Sequence, residues 1–573
     1  MDGAATPETT IGLRPPETVM RLSRLGSFHQ SRLSFMRVLL RRLRREGWRF
    51  ERRAFEIDAR GVGHAVYTLH GPRHGSGRSY SLIAFGHDLP DEMRSDRVIA
   101  TAWDATFALF DGIPAPADID RLRAEVPRQE AGRVSERELS LSRANRSVRL
   151  FEHVVAALAA GRQPDRARVE EVGYLMRTTA VYGAGKFGAA DREAIEDRAE
   201  FVPPFQPEML SVWLTRAFVL DLVEEMARQR APETAVALEP ALRRRFGIGN
   251  STGLGMAPFL ISHPILFNNW IGAREEALAR IRRLPVATPE AEARFRAMLP
   301  RARAAVALWH SEHPFQQRRL AALSADLERL QARVDAGLAP AHPWDDLWCW
   351  AEGALSEEGQ EMLVSLLMEP HGDLVDGMAC CMAADEAAGF AIDGAMRVGA
   401  LRAVLERVYD WALAIDWSAR QAQARAWYVS EEKLEPRLGE RWEEDIAPWE
   451  QPLAPGRDAA ALHAALAAQP DDAPVADLLM RAPEHRHAVR RAQIAARHPY
   501  AEIRDNTIGT DIMPIDMLRA KLSFFGAGQF DPRSDRWVRI NMFRGAPFPH
   551  ELHELPEDDW AWPEAETGAG APA

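Results

Sequence analysis

The chain has 573 residues, a formal net charge of -12, and 46% apolar against 27% charged residues, the profile of a globular protein with more than one core. Three cysteines (Cys349, Cys380, Cys381) cannot build a disulfide framework, no basic stretch followed by an apolar core opens the chain, and no clean run of ~20 apolar residues occurs. Secreted and membrane-spanning classes are excluded on this reading, a reducing cytoplasm is the expected setting, and an acidic chain has no general attraction to nucleic acid.

Residues 1–20, rich in Pro and Thr, read as a disordered N-terminal segment. From 21 to 53 eleven Arg stand against Glu46 and Glu51. Within that stretch FMRVLLRRLRREGWRF reads as an amphipathic helix, with Phe35, Val38, Leu39 and Leu43 inward and arginine in solvent. Such a face suits an acidic partner or an anionic membrane surface. RFERRAFEID, HAVYTLHGP, SYSLIAFGHDL and VIATAWDATFALFDG follow as strands, and the short breaks between the first of them favour antiparallel pairing. Basic helix and small antiparallel sheet make a unit of 21–125.

Residues 126–450 read as a central helical domain. Pro207 opens EMLSVWLTRAFVLDLVEEMARQ, apolar on most faces and therefore a buried helix. Leu320, Leu323, Leu327, Leu330 and Val334 recur at three- and four-residue steps on one helix face. Trp411, Trp417 and Trp427 are expected in a core or interface. A linker-like segment of 451–484 follows, then a mixed segment of 485–555 with a strand at WVRINMF, then an acidic tail of 556–573. The fold class is α+β, mostly helical: a small N-terminal antiparallel sheet, a large central helical domain and a mixed C-terminal segment.

Lysine and asparagine are scarce, with only Lys186, Lys433 and Lys521 among 71 basic residues and six Asn in all. Codon bias explains the scarcity, and positions that keep these residues carry a weak signal. In GIGNSTGLGMAPFLISHPILFNNW, Gly247, Gly249, Gly253 and Gly255 alternate with Asn250, Ser251 and Thr252 before an apolar run. Glycine lets backbone amides approach a phosphate or carboxylate, and small hydroxyls add donors. Neither the dinucleotide fingerprint nor the P-loop ending is present. A structural turn weighs evenly against this. His263, Asn268 and Asn269 lie inside the apolar run and need polar partners, which backbone carbonyls alone can supply.

In TTAVYGAGKFGAADR, Lys186 sits in a glycine loop near Tyr182. Burial tunes a lysine as it cannot tune an arginine, so Lys186 is a candidate base or amine nucleophile, against the plainer role of an exposed loop lysine. The Tyr-x-x-x-Lys spacing resembles short-chain dehydrogenases, but Gly183 and Gly185 break the helix that spacing requires, and the resemblance is not adopted. A third cluster, Glu369, His371, Asp373 and Asp376, offers carboxylates and imidazole for a metal, with a solvated capping turn as the plainer reading. Cys380 and Cys381 read as small core residues. In RDNTIGTDIMPIDMLRAKLSFFGAGQFD, Asn506 and Thr507 open a polar turn ahead of Lys521.

The combined expectation is a cytoplasmic enzyme acting on a small anionic substrate by acid–base elimination or hydrolysis. Lys186, Tyr182 and His263 handle protons, and Asn250, Ser251, Thr252, Asn268, Asn269, Asn506 and Thr507 bind substrate. No metal site is assigned, no cofactor is named, and a homo-oligomer is carried as an option. The helical centre with its Gly/Ser/Thr loop resembles the fumarase–aspartase lyases in outline, without the Ser-Ser-x-x-Met-x-x-Lys-x-Asn loop of that family, so no membership follows. The alternatives are a helical scaffold presenting the basic helix to a partner, and a metal-dependent enzyme built on residues 369–376.

Overall fold

The computed structural model describes residues 11–72, 77–94, 102–125, 135–178, 195, 197–203, 205–251, 263–309, 314–382, 389–419, 455–505, 519, 521–531, 539–555, 558 and 560–563. Its centre is one nine-stranded sheet: β1 (Arg49–Ile57), β2 (Gly63–His70), β3 (Ser79–Gly86), β4 (Ala105–Asp111), β5 (Glu138–Arg146), β6 (Tyr174–Thr178), β7 (Gly247–Ser251), β8 (Ala527–Asp531) and β9 (Arg539–Met542). The strand order is β1-β2-β3-β4-β5-β6-β7-β9-β8. This corrects the expectation of a small N-terminal sheet. The four strands legible near the N-terminus are joined by five more, the last two contributed by the C-terminal region. The α+β class stands.

Hairpin-like succession explains β1 to β5, each antiparallel to the next. The outer strand β1 carries Arg49, Glu51, Arg52 and Arg53 on exposed positions and an irregularity between Arg52 and Ala54. Charge and a bulge both discourage edge-to-edge pairing with another chain. Among the described strands only β6 and β7 are parallel, and parallel neighbours require a long crossover. That crossover contains the 25-residue helix Gln206–Arg230.

The principal helices, in chain order, are α1 (Phe35–Arg45), α2 (Pro116–Glu125), α3 (Phe151–Ala159), α4 (Gln206–Arg230), α5 (Pro240–Arg245), α6 (Pro264–Arg282), α7 (Pro289–Ala307), α8 (Pro314–Asp335), α9 (Pro343–Ala354), α10 (Glu357–Met368), α11 (Val398–Val408), α12 (Pro455–Ala467), α13 (Val475–Arg481) and α14 (Arg486–Arg497). Helix α4 packs across β1 to β7 and buries nearly every residue up to Ala227, as its all-round apolar sequence requires. On α8 the expected stripe Leu320, Leu323, Leu327, Leu330 and Val334 is buried. Helices α11, α12, α13 and α14 enclose a second core around Leu401, Leu405, Leu462, Leu466 and Val489. Among the described residues no helix is long and apolar enough to cross a membrane.

Charge plays an unexpected structural part. Arg37, on the helix read as presenting arginine to solvent, is fully buried and forms a bidentate pair with Glu369 at 2.6 and 2.8 Å. Arg32 grips Asp376 at 2.7 and 2.9 Å, and Arg41 binds Asp558 at 2.5 Å. The described part of residues 1–20 is docked: Arg14 is buried and bonded to Glu275 (2.7 and 2.8 Å) and Glu361 (2.7 Å). Trp562 and Pro563 are held as well. Trp562 Nε1 donates to Glu369 at 3.0 Å, and Arg301 donates to the carbonyls of Trp562 and Pro563 at 2.5 and 3.1 Å.

Candidate functional site

Because β6 and β7 are parallel neighbours, their last residues stand together at one end. Asn250 Nδ2 donates to the Thr178 carbonyl at 3.1 Å. Strand β5 does not stop there. Ala144 pairs with Thr178, and β5 reaches back to Glu138, paired with β4 beyond the end of β6. Ser142 and Ser140 therefore lie beyond the last described residue of β6. They pair with Phe107 and Leu109, and directly opposed residues share a sheet face. Phe107 meets Phe218 of α4 edge-on, with ring centroids 5.6 Å apart. That face is the one covered by α4.

Helix α4 answers with polar residues of its own. Ser211 and Thr215 recur with Phe218 at four- and three-residue steps, so they lie on the stripe turned toward the sheet, with Glu208 on its flank. All are buried: Glu208 is 2% exposed, Ser211 1% and Thr215 0%, against Ser140 at 2% and Ser142 at 1%. The hydroxyls of Ser140, Ser142, Ser211 and Thr215 have no hydrogen-bond partner among the described residues. A buried hydroxyl left unpaired costs ~1–3 kcal/mol. Four on two facing surfaces of one interface leave room for water, a ligand or residues outside the described ones to complete the bonding.

An aromatic cluster flanks the start of α4. Phe35, Phe205, Trp270 and Phe525 have ring centroids 4.3–6.1 Å apart. Phe205 holds a left-handed backbone (φ 66), and no side chain caps the helix it precedes. Phe525 closes a π-helical turn, Lys521–Phe525, a local geometry frequent at functional sites.

Several expected site residues are brought to this region. His263 stands at the N-terminus of α6 with its ring edge-on to Phe205 at 6.2 Å. Asn250 is buried at the end of β7, bonded to Thr178. Others serve elsewhere. Asn268 Oδ1 accepts from the Tyr500 amide at 2.9 Å and Asn268 Nδ2 donates to Asn269 at 3.3 Å, joining α6 to the chain before residue 505. Tyr182, Lys186, Thr252, Asn506 and Thr507 lie outside the described residues, as does the side chain of Ser251. By chain position Tyr182 and Lys186 follow Thr178 by four and eight residues, and Thr252 follows Ser251 directly.

Two glycines of the 247–255 motif act differently from the expectation, while Gly253 and Gly255 lie outside the described residues. Gly247 and Gly249 are in β7, not in a loop. A Cβ on Gly249 would stand 2.7 Å from the Tyr174 ring, and one on Gly247 2.7 Å from the Met542 carbonyl oxygen. Close strand packing explains these two glycines. Ser140, Ser142, Glu208, Ser211 and Thr215 went unnoticed in the sequence. Their signal is available on α4, where Glu208, Ser211 and Thr215 recur at helical steps in the stretch 207–215, whose other residues are apolar.

The 369–376 cluster is closed by arginine. Burial opposes the charge on Glu369, yet Arg37, Arg32 and the Trp562 indole hold its carboxyl down at about 2. Asp376 is bound by Arg32 and Arg41. His371 Nδ1 donates to the Leu367 carbonyl at 2.7 Å, and burial lowers its pKa, which keeps the ring neutral. Among the described residues no group of three His, Cys, Asp or Glu is arranged to hold a metal ion. Compared with known proteins, the chain matches no family model, no curated protein and no solved structure.

Proposed function

We propose that this chain is a metabolic enzyme acting on a small anionic substrate by acid–base elimination or hydrolysis, with its site at the end of β6 and β7 beneath α4. The observation that carries the reading is the buried layer of four hydroxyls, unpaired among the described residues, beside the Glu208 carboxylate and next to the parallel pair β6–β7. Ligands of open α/β sheets collect at the carboxyl ends of parallel strands, and a buried polar layer is costly unless something binds to it. In this reading Ser140, Ser142, Ser211 and Thr215 bind substrate oxygens. Glu208 and His263 join Lys186 and Tyr182 as proton-handling groups. The scaffold alternative loses Arg37, which is spent on Glu369 inside the protein.

A thermal-shift panel of small carboxylates and phosphate esters tests this, because a ligand of the folded state raises the unfolding temperature. A compound that stabilises the wild type, is turned over by it, and loses turnover in Glu208→Gln and Lys186→Arg supports the proposal. No stabilising anion across the panel, or turnover unchanged in both variants, overturns it.

A further inference from the structure

Cys380 and Cys381 are not core residues. They end a 3-10 turn, Asp376–Cys381, with both thiols exposed and no disulfide between them. Their sulfur atoms are 3.9 Å apart. A disulfide needs ~2.05 Å. Two thiolates bound at ~2.3 Å to one tetrahedral centre stand ~3.8 Å apart. The observed 3.9 Å is sulfur–sulfur contact distance, close enough for both thiols to reach one thiophilic centre. The turn is anchored on both sides of the pair: Asp376 is held by Arg32, and Met378 and Met382 are buried. Cys380 Sγ donates to the Gly377 carbonyl at 2.9 Å, which fixes one sulfur against the turn.

No third His, Cys, Asp or Glu among the described residues completes a metal site here. A centre bound by the two sulfurs alone must be soft enough to prefer sulfur, and one that carries its own remaining ligand needs no third protein group. We propose that Cys380 and Cys381 form a surface vicinal-dithiol site for a thiophilic centre of this kind, chemically a trivalent organoarsenical. Two As–S bonds form, the arsenical oxygen takes both thiol protons and leaves as water, and arsenic stays trivalent, so no oxidant is consumed. Burial, and then the neighbouring Cys380, raise the Cys381 pKa, so that thiol meets the reagent in its protonated form.

Reduced full-length protein is treated with one equivalent of phenylarsine oxide and examined by intact-mass spectrometry. The expected result is one phenylarsenic adduct formed with loss of one water, stable to excess 2-mercaptoethanol and removed by 2,3-dimercaptopropanol. Cys349→Ser behaves as wild type, whereas Cys380→Ser and Cys381→Ser each lose the monothiol-resistant adduct. A wild-type adduct that excess monothiol strips away, or a resistant adduct retained by either single variant, overturns the proposal. Neither outcome bears on the site beneath α4.

Discussion

Arg37 and Glu369 face each other through two hydrogen bonds of 2.6 and 2.8 Å, both side chains shut away from solvent. Removing one partner strands the other charge in a dry interior, at a cost of ~3–5 kcal/mol. The pair also has a pH signature. Glu369 is held at about 2, against 4.5 for an ordinary glutamate, so its contribution is complete above 4.5 and is lost as the pH falls toward 2. Glu369→Gln should lower the urea midpoint at pH 7 and flatten its decline between pH 4.5 and 2. An unchanged midpoint at pH 7 would contradict the assignment.

His29 gives a second window. Its ring lies on Trp562 with centroids 3.6 Å apart, and burial pushes its pKa down to about 3 from 6.5. The folded protein keeps the imidazole neutral while the unfolded chain protonates it. Stability present above pH 6.5 is therefore lost as the pH falls toward 3. His29→Phe preserves the stack without a titrating group. Its melting temperature should decline less than that of the wild type between pH 7 and pH 5, where Glu369 contributes little change. Parallel declines would refute the point.

Gly249 owes its identity to the Tyr174 ring. An added Cβ at 2.7 Å cannot be accommodated without moving an aromatic side chain in the sheet. Gly249→Ala should destabilise by ~1–3 kcal/mol, the usual range for overpacking. Combined with Tyr174→Leu, the loss should be smaller than the sum of the two single losses, since contacting residues couple. Strict additivity in chemical denaturation would show that the contact is not the cause.

The hydroxyls of Ser211 and Thr215 should behave oppositely toward stability and toward ligand. A buried hydroxyl without a partner contributes nothing by its presence, so Ser211→Ala and Thr215→Val should leave the melting temperature unchanged or raise it. Both should reduce the thermal shift produced by whichever anion the wild type binds. A clear loss of stability in the free variants would mean that the hydroxyls are satisfied within the protein.

Local pattern accounts for what could be read in advance. Strands β1 to β4 are long, alternate or are apolar, and the first three follow one another across short breaks, so the chain's own order places them. The α8 stripe and the buried helix after Pro207 follow from periodicity in the same way. Strands β6 and β7 escaped because five residues buried in the middle of a sheet show no alternation. The partner of Gly249 on β9 is Asn541, nearly three hundred residues further on. The rare asparagines illustrate the same limit. Asn250 and Asn541 donate to the carbonyls of Thr178 and Val172, so they stitch strands to neighbouring backbone.

Composition and periodicity determined, without any structure, the α+β class, the first four strands, the buried crossover helix and the excess of arginine near the N-terminus. What they left open is where each charge and each polar group finds its partner. Arg37 reads as a solvated residue until Glu369 is brought to it from α10's end. Ser211 reads as a minor blemish on an apolar helix until β5 places Ser142 on the facing surface. The reason is physical: propensity and amphipathic period act over a few residues, whereas desolvation of a charge or hydroxyl depends on every group around it. That environment is assembled only when distant parts of the chain meet.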